Sequence, residues 1–315
     1  MNPELLRDVA ERVRLVPDRH RVFDQGTPTV LKVFGIGAPV LSDLLDLGLP
    51  HRSSGGERYF DKLDLENVSL SLGLPSPRYL AMRRWPEVLR AVVERRPVRY
   101  DLEVVAECDP EAPVHVCDFR LPAEVLALGT ETDPAVRRLT LSREVGATGR
   151  HGEAPRELQR IFSEVSAFRF HILPEALYGD LAFVEETSLA DCELATRYLA
   201  RRAAEEGWQA RRSFGLLLSS PYSLPHYWPE IRLDGVWTAF DPHLVNSLVR
   251  WGVLAPSAVS SAQVLNPVFF RVAEDWTPLV QDAGRPARVS VLTRRRALPD
   301  GAASTDQPLN ETADD

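Results

Sequence analysis

His226-Tyr227-Trp228-Pro229-Glu230-Ile231-Arg232-Leu233-Asp234-Gly235-Val236-Trp237-Thr238-Ala239-Phe240-Asp241 holds two strand-like runs, His226 to Leu233 and Val236 to Asp241, around one Asp-Gly pair. Asp-Gly between such runs signals a two-residue β-hairpin, because both turn residues must take positive φ. With that turn Leu233 pairs with Val236, and counting outward Glu230 faces Ala239 and Trp228 faces Asp241. His226, Trp228 and Glu230 then alternate onto one face, and Asp241 joins it as the partner of Trp228. His226 becomes the diagonal neighbour of Asp241, roughly 7 Å away between Cα atoms and within side-chain reach. A one-residue change in the turn throws Asp241 to the opposite face. The same geometry suits a surface charge pair on a strand and a His–Asp pair in a catalytic site.

Upstream of the hairpin, Ser213 to Leu218 reads as a buried strand and Ser219 to Pro225 as a loop. Earlier still, Ser188-Leu189-Ala190-Asp191-Cys192 opens a run of helical periodicity that stops at Gly207. Ser188 and Asp191 stand in the S-x-x-D relation of a capping box, which puts the helix start at Ser188. Gly207 suits the left-handed cap at the other end. Cys192, Ala195, Leu199 and Ala203 share one face, which points inward. A cysteine in or just after the first turn meets unpaired amides and the positive end of the helix dipole, which favour a thiolate and can hold an oxyanion. A buried and inert cysteine fits the pattern as well. A helix-start cysteine with a carboxylate-oriented histidine is the nucleophile, base and orienting acid of cysteine catalysis. Spacing alone does not bring Cys192 to His226.

Four pieces, in order, resemble the core of the transglutaminase-like superfamily. They are Asp191-Cys192, Gly207-Trp208-Gln209-Ala210-Arg211 running to Gly215, His226-Tyr227-Trp228-Pro229-Glu230, and Trp237-Thr238-Ala239-Phe240-Asp241-Pro242. The family pattern is a cysteine opening a helix, a Gly-x-x-Ala-Arg turn, a His-x-Trp-x-Glu strand and Trp-x-x-x-Asp-Pro. The match covers residues 185–245. It implies an α+β chain: a papain/transglutaminase-like core, in which the helix carrying Cys192 packs on an antiparallel sheet, beside a mixed α/β N-terminal region. By the resemblance Cys192 is the nucleophile, His226 the base and Asp241 the third member, with no cofactor and no metal. His243 departs from the pattern, standing where the family has threonine or serine. The side-chain oxyanion donor that some members supply upstream has no assigned counterpart, and Tyr178 stays outside the site.

Trp228 is expected to pack in the core or as a wall of the site in preference to contacting substrate, and it is the first of the two candidate substrate contacts. Tyr222 belongs to the expected rim, Ser219 to Ser223, and is the second expected substrate contact. Glu230 and Arg211 are expected to be structural ion-pair partners. The resemblance implies an acyl transferase that forms an acyl-enzyme on Cys192 and passes the acyl group to an amine. Its partners are then an acyl donor, an amide or a carrier-protein thioester, and an amine acceptor. A cysteine peptidase or amidase, with water as acceptor, is the alternative. A non-catalytic binding module is the second alternative, and the intact Cys192, His226 and Asp241 argue against it.

The chain has 315 residues and a net charge of −8. Its pI of about 5.5 disfavours non-specific binding to nucleic acid or to an anionic membrane. Length and composition suit two domains, or one domain with a large extension, and an ordinary soluble protein. The expected division is 1–150 as the N-terminal region, 151–293 as the catalytic domain and 294–315 as a disordered tail. The first residues show no basic segment followed by an apolar run, and three cysteines without framework spacing suit a reducing compartment, so a cytoplasmic location is expected.

Within the first half, residues 4–16, Trp85 to Arg96 and Pro155 to Phe168 read as helices. Val98 to Cys108, Val114 to Leu121 and Arg138 to Leu141 read as strands. Thr29 to Phe34 reads as a strand leading into Gly35-Ile36-Gly37, the start of a dinucleotide fingerprint that lacks its third glycine. Residues 51–58 read as a loop. His115 and Cys117 with Cys108 invite a zinc reading, but a fourth ligand at the usual spacing is missing, and core packing is the preferred role.

Overall fold

The computed structural model describes residues 2–108, 117–128, 138–145 and 152–299. The chain is mixed α/β with antiparallel sheets, which bears out the broad class. It separates into two compact units that interleave along the sequence. The first comprises Met1–Pro86, Pro155–Glu205 and Asp241–Ala262; the second comprises Glu87–Ala154, Glu206–Phe240 and Gln263–Asp315. Each unit thus draws on segments from both sides of residue 150, where sequence composition suggests a single cut.

The first unit begins with the helix Pro3–Leu15, capped by the Asn2 side chain and burying Leu6, Val9 and Val13. Thr29 to Phe34 is not a strand. Thr27–Lys32 is a short helix, with Pro28 in the first turn where a fixed φ and a missing N–H are tolerated. Gly35, at φ 66°, turns the chain, and Gly37 caps the next helix, Ala38–Asp46. The element before the Gly-x-Gly pair is therefore a helix, and the dinucleotide fingerprint is absent. Residues 51–58 are not a loop but a hairpin, Arg52–Ser54 with Glu57–Asp61, turned by Gly55 and Gly56 at φ 60° and 83°. Asp61 then caps the helix Lys62–Leu72 through Leu63 N and Asp64 N. The helix Arg156–Ala167 buries Leu158, Ile161, Phe162 and Val165, the stripe its periodicity predicts.

In the second unit, Val236–Ala239, Leu224–Leu233, Ala210–Leu217 and Phe269–Ala273 form one antiparallel sheet in that order. A second sheet centres on Val98–Glu107, with Val98, Tyr100, Leu102, Val104 and Ala106 buried in strict alternation. Its neighbours are Arg138–Val145 and Arg288–Ala297. The last strand corrects the expected tail: Arg294 pairs with Asp101, Arg295 with Tyr100, Arg296 with Arg99 and Ala297 with Val98. Alternation of Val291, Thr293 and Arg295 against an existing strand extends the ladder past the point where composition turns polar. Residues 300–315 lie outside the described residues.

Cys108 and Cys117 are joined as a disulfide with Cα atoms 6.3 Å apart, which corrects the reading of unlinked core thiols. His115 lies outside the described residues, as does Val114 to Val116 of the expected strand. Among the described residues no His, Cys, Asp and Glu cluster could hold a metal, and no helix is long and apolar enough to cross a membrane.

Candidate active site

Asp234 and Gly235 take φ 52° and 82°, the turn that an Asp-Gly pair favours, and the register is the counted one. Leu233 pairs with Val236, Arg232 with Trp237, Ile231 with Thr238 and Glu230 with Ala239. His226, Trp228 and Glu230 share a face. The His226 ring stacks on Phe269 at 5.6 Å between centroids, and Trp228 stacks on the same ring at 4.4 Å. Trp228 Nε1 donates to Glu230 Oε1 at 3.3 Å. Both rings are buried, Trp228 almost completely, so this indole is packed as a wall. Arg211 Nε donates to Glu230 Oε2 at 2.7 Å, and its guanidinium lies 4.2 Å from the centroid of Trp237. Arg211 and Glu230 are thus the ion pair expected of them.

Gly215 stands opposite His226 in the ladder. A Cβ there would meet the Phe270 carbonyl oxygen at 2.0 Å. Only glycine lets the strand Phe269–Ala273, which carries the ring under His226, approach so closely.

The strand Val236–Ala239 is followed by one more bond in the counted register. Phe240 N donates to Pro229 O at 3.1 Å, the next ladder bond of that register, while the Ala239 N–H, on the outer edge of the hairpin, donates to the Asn266 side chain at 2.8 Å. Asp241 follows Phe240 in the chain. It caps the helix Pro242–Arg250, its Oδ1 accepting from Leu244 N at 2.8 Å. Aspartate is a strong N-cap, and Pro242 lacks the N–H that a further ladder step needs. Asp241 is buried at this cap.

The Cys192 helix also starts elsewhere than predicted. Ser188, at φ 57°, terminates the helix Leu181–Thr187. Leu189–Ala190 then pairs in parallel with Arg169–Phe170. Asp191 is the cap, its Oδ1 accepting from Leu194 N at 2.9 Å. The helix is Cys192–Glu205, closed by Gly207 at φ 86°. Cys192 is therefore its first residue, with a free and half-buried thiol, nearer the unpaired amides than a start at Ser188 would place it. Ala195, Leu199 and Ala203 are buried along the face Cys192 begins.

Two groups around this helix start have displaced proton affinities. Burial, with a contribution from Glu193, pushes the Asp191 carboxyl up to about 7 against the pull of the Leu194 N–H. Burial and then the neighbouring charges of Asp191, Cys192 and Glu193 push the Tyr178 hydroxyl up to about 12. Tyr178 is thus a proton donor at neutral pH in the electrostatic neighbourhood of Cys192. Its signal in the sequence is too slight to place it, since a lone tyrosine in a loop has no periodicity to read.

His243 is buried, and its Nε2 lies 3.1 Å from the carbonyl oxygen of Ala190. The first unit thus holds Cys192, Asp241, Tyr178 and His243, and the second holds His226, Trp228 and Tyr222. Tyr222 is exposed and lines a cavity of about 290 Å³ with Phe214, Leu216, Pro225 and Trp276. Phe214 and Leu216 pair with Tyr227 and Pro225, so this cavity opens on the sheet face opposite to the His226 and Trp228 rings. No family model, curated protein or solved structure matches the chain.

Proposed function

We propose that the chain is a cysteine-dependent acyl transferase with Cys192 as nucleophile, His226 as base and Asp241 as orienting acid, on a transglutaminase-like core. The observation that carries this reading is the placement of Cys192 as the first residue of a capped helix with its thiol free and partly accessible. First-turn amides there are unpaired within the helix and can hold the oxyanion of a tetrahedral intermediate. Arg211 paired with Glu230 and Gly215 opposite His226 support it, since the resemblance groups those residues with the base.

In the first half-reaction the Cys192 thiolate adds to an amide or thioester carbonyl. The tetrahedral oxyanion is held by first-turn N–H groups and the Tyr178 hydroxyl. Collapse breaks the bond to the leaving amine or thiol, which takes its proton from the His226 imidazolium, and an acyl thioester remains on Cys192. An amine then attacks that thioester, gives a proton to His226 and leaves as the amide, restoring the thiolate. Water in place of the amine turns the same site into a hydrolase.

Iodoacetamide labelling near neutral pH tests the nucleophile. Cys192 should react faster than a free thiol, with the label lost in Cys192→Ala and the rate reduced in His226→Ala. A wild-type rate equal to that of glutathione, unchanged by His226→Ala, defeats the enzyme reading. Intact-mass detection of an acyl adduct on Cys192, chased with amines, then separates transfer from hydrolysis.

A further inference from the structure

We infer that His243 is a positioning residue for Cys192, acting by clamping the Ala190 carbonyl that precedes the helix cap. Its functional meaning rests on the acyl-transfer reading; the clamp rests on geometry alone. A carbonyl oxygen only accepts, so the 3.1 Å contact requires the proton on Nε2 of His243. The same oxygen accepts from His171 N at 2.9 Å. Both lone pairs of Ala190 are therefore engaged, which sets the direction of the peptide leading into Asp191 and Cys192.

The imidazole has little freedom to release that carbonyl. Its ring stacks on Phe170 at 5.8 Å between centroids with 23° between planes, and Phe170 is the parallel-strand partner of Ala190. His243 is also the second residue of the helix that Asp241 caps, and Ala190 is the residue before the cap of the Cys192 helix. One side chain thus laces together two helix starts, each closed by its own buried aspartate. Threonine or serine at position 243 is too short to make this bond. The clamp is a property of the residue by which this chain departs from the pattern it resembles.

The test compares wild type, His243→Phe and His243→Gln. Phenylalanine keeps the stack on Phe170 and removes the donor; glutamine returns an N–H near the position of Nε2. Alkylation of Cys192 by iodoacetamide is followed across neutral pH by intact mass, and folding by thermal unfolding. His243→Phe should react about tenfold more slowly while remaining folded, and His243→Gln should stay within about twofold of wild type. Imidazole ¹⁵N shifts should show His243 as the Nε2–H tautomer, and the amides of Asp191 and Cys192 should exchange faster in His243→Phe alone. Wild-type reactivity in a folded His243→Phe protein, or a neutral Nδ1–H tautomer, overturns the inference. If His243→Phe does not fold, an Nδ1–H tautomer or a loss of reactivity in His243→Gln overturns the inference, and an Nε2–H tautomer with near wild-type reactivity in His243→Gln supports it. A wild-type Cys192 no faster than glutathione sinks the acyl-transfer reading and the positioning role with it. In that case the tautomer and amide exchange still decide the clamp.

Discussion

Replacing Asp191 by asparagine should change the pH dependence of stability more than stability itself at acid pH. Asparagine is as good an N-cap as aspartate and of nearly equal volume, so the bond to Leu194 N is kept and only the charge is lost. Burial holds the folded carboxyl at about 7, against 3.8 for the ordinary group. Between those values the folded state keeps a proton that the unfolded state has released. The unfolding free energy of wild type therefore falls as pH rises through this window, and levels off above it. Three units at about 1.4 kcal/mol each give a decline of roughly 4 kcal/mol from this one group. In Asp191→Asn that contribution is absent. The two proteins should be equally stable near pH 4, and the variant more stable by up to about 4 kcal/mol at pH 8. Urea unfolding at a series of pH values, with slopes checked for constancy, reads this difference directly. A gap that stays constant with pH, or a variant less stable at pH 8, refutes the assignment of a strained buried carboxylate beside Cys192.

Gly215→Ala should destabilise the second unit by about 3 kcal/mol, because the new methyl meets the Phe270 carbonyl, which is backbone and cannot swing aside. A loss below about 0.5 kcal/mol in urea unfolding would show that the close approach is not needed. Arg211→Met should cost about 2 kcal/mol, since it leaves the buried Glu230 carboxylate with Arg271 Nε, at 3.8 Å, as its remaining cation. Matched denaturation curves for the two proteins would show instead that Arg271 takes over the pair.

Local chemistry alone determined the parts of the site that neighbours in sequence control. The Asp-Gly turn sets the hairpin register within a few residues, so the shared face of His226, Trp228 and Glu230 followed by counting. The stripes of Arg156–Ala167 and Cys192–Glu205, and the stop at Gly207, are likewise properties of single helices. Elsewhere two local signals competed, and packing chose between them. Ser188 and Asp191 are both good caps. Strand pairing of Leu189–Ala190 with Arg169–Phe170 occupies the first option and leaves Asp191 to begin the helix. Asp241 carries both a strand register and a cap signal, and its side chain caps the helix that Pro242 opens.

Tertiary structure decided whatever depends on partners far along the chain. The ladder of Arg288–Ala297 on Val98–Glu107 orders residues whose composition reads as a tail, because an existing strand supplies the hydrogen bonds. Burial, which no local window reports, raised both the Asp191 carboxyl and the Tyr178 hydroxyl. The His243 contact with Ala190 spans 53 positions and has no trace in spacing or periodicity. Sequence determined the candidate residues and the faces of the elements that carry them. The three-dimensional packing decided the first residue of the Cys192 helix and the side chains that hold it there, since burial and long-range hydrogen bonds exist only once distant segments are folded together.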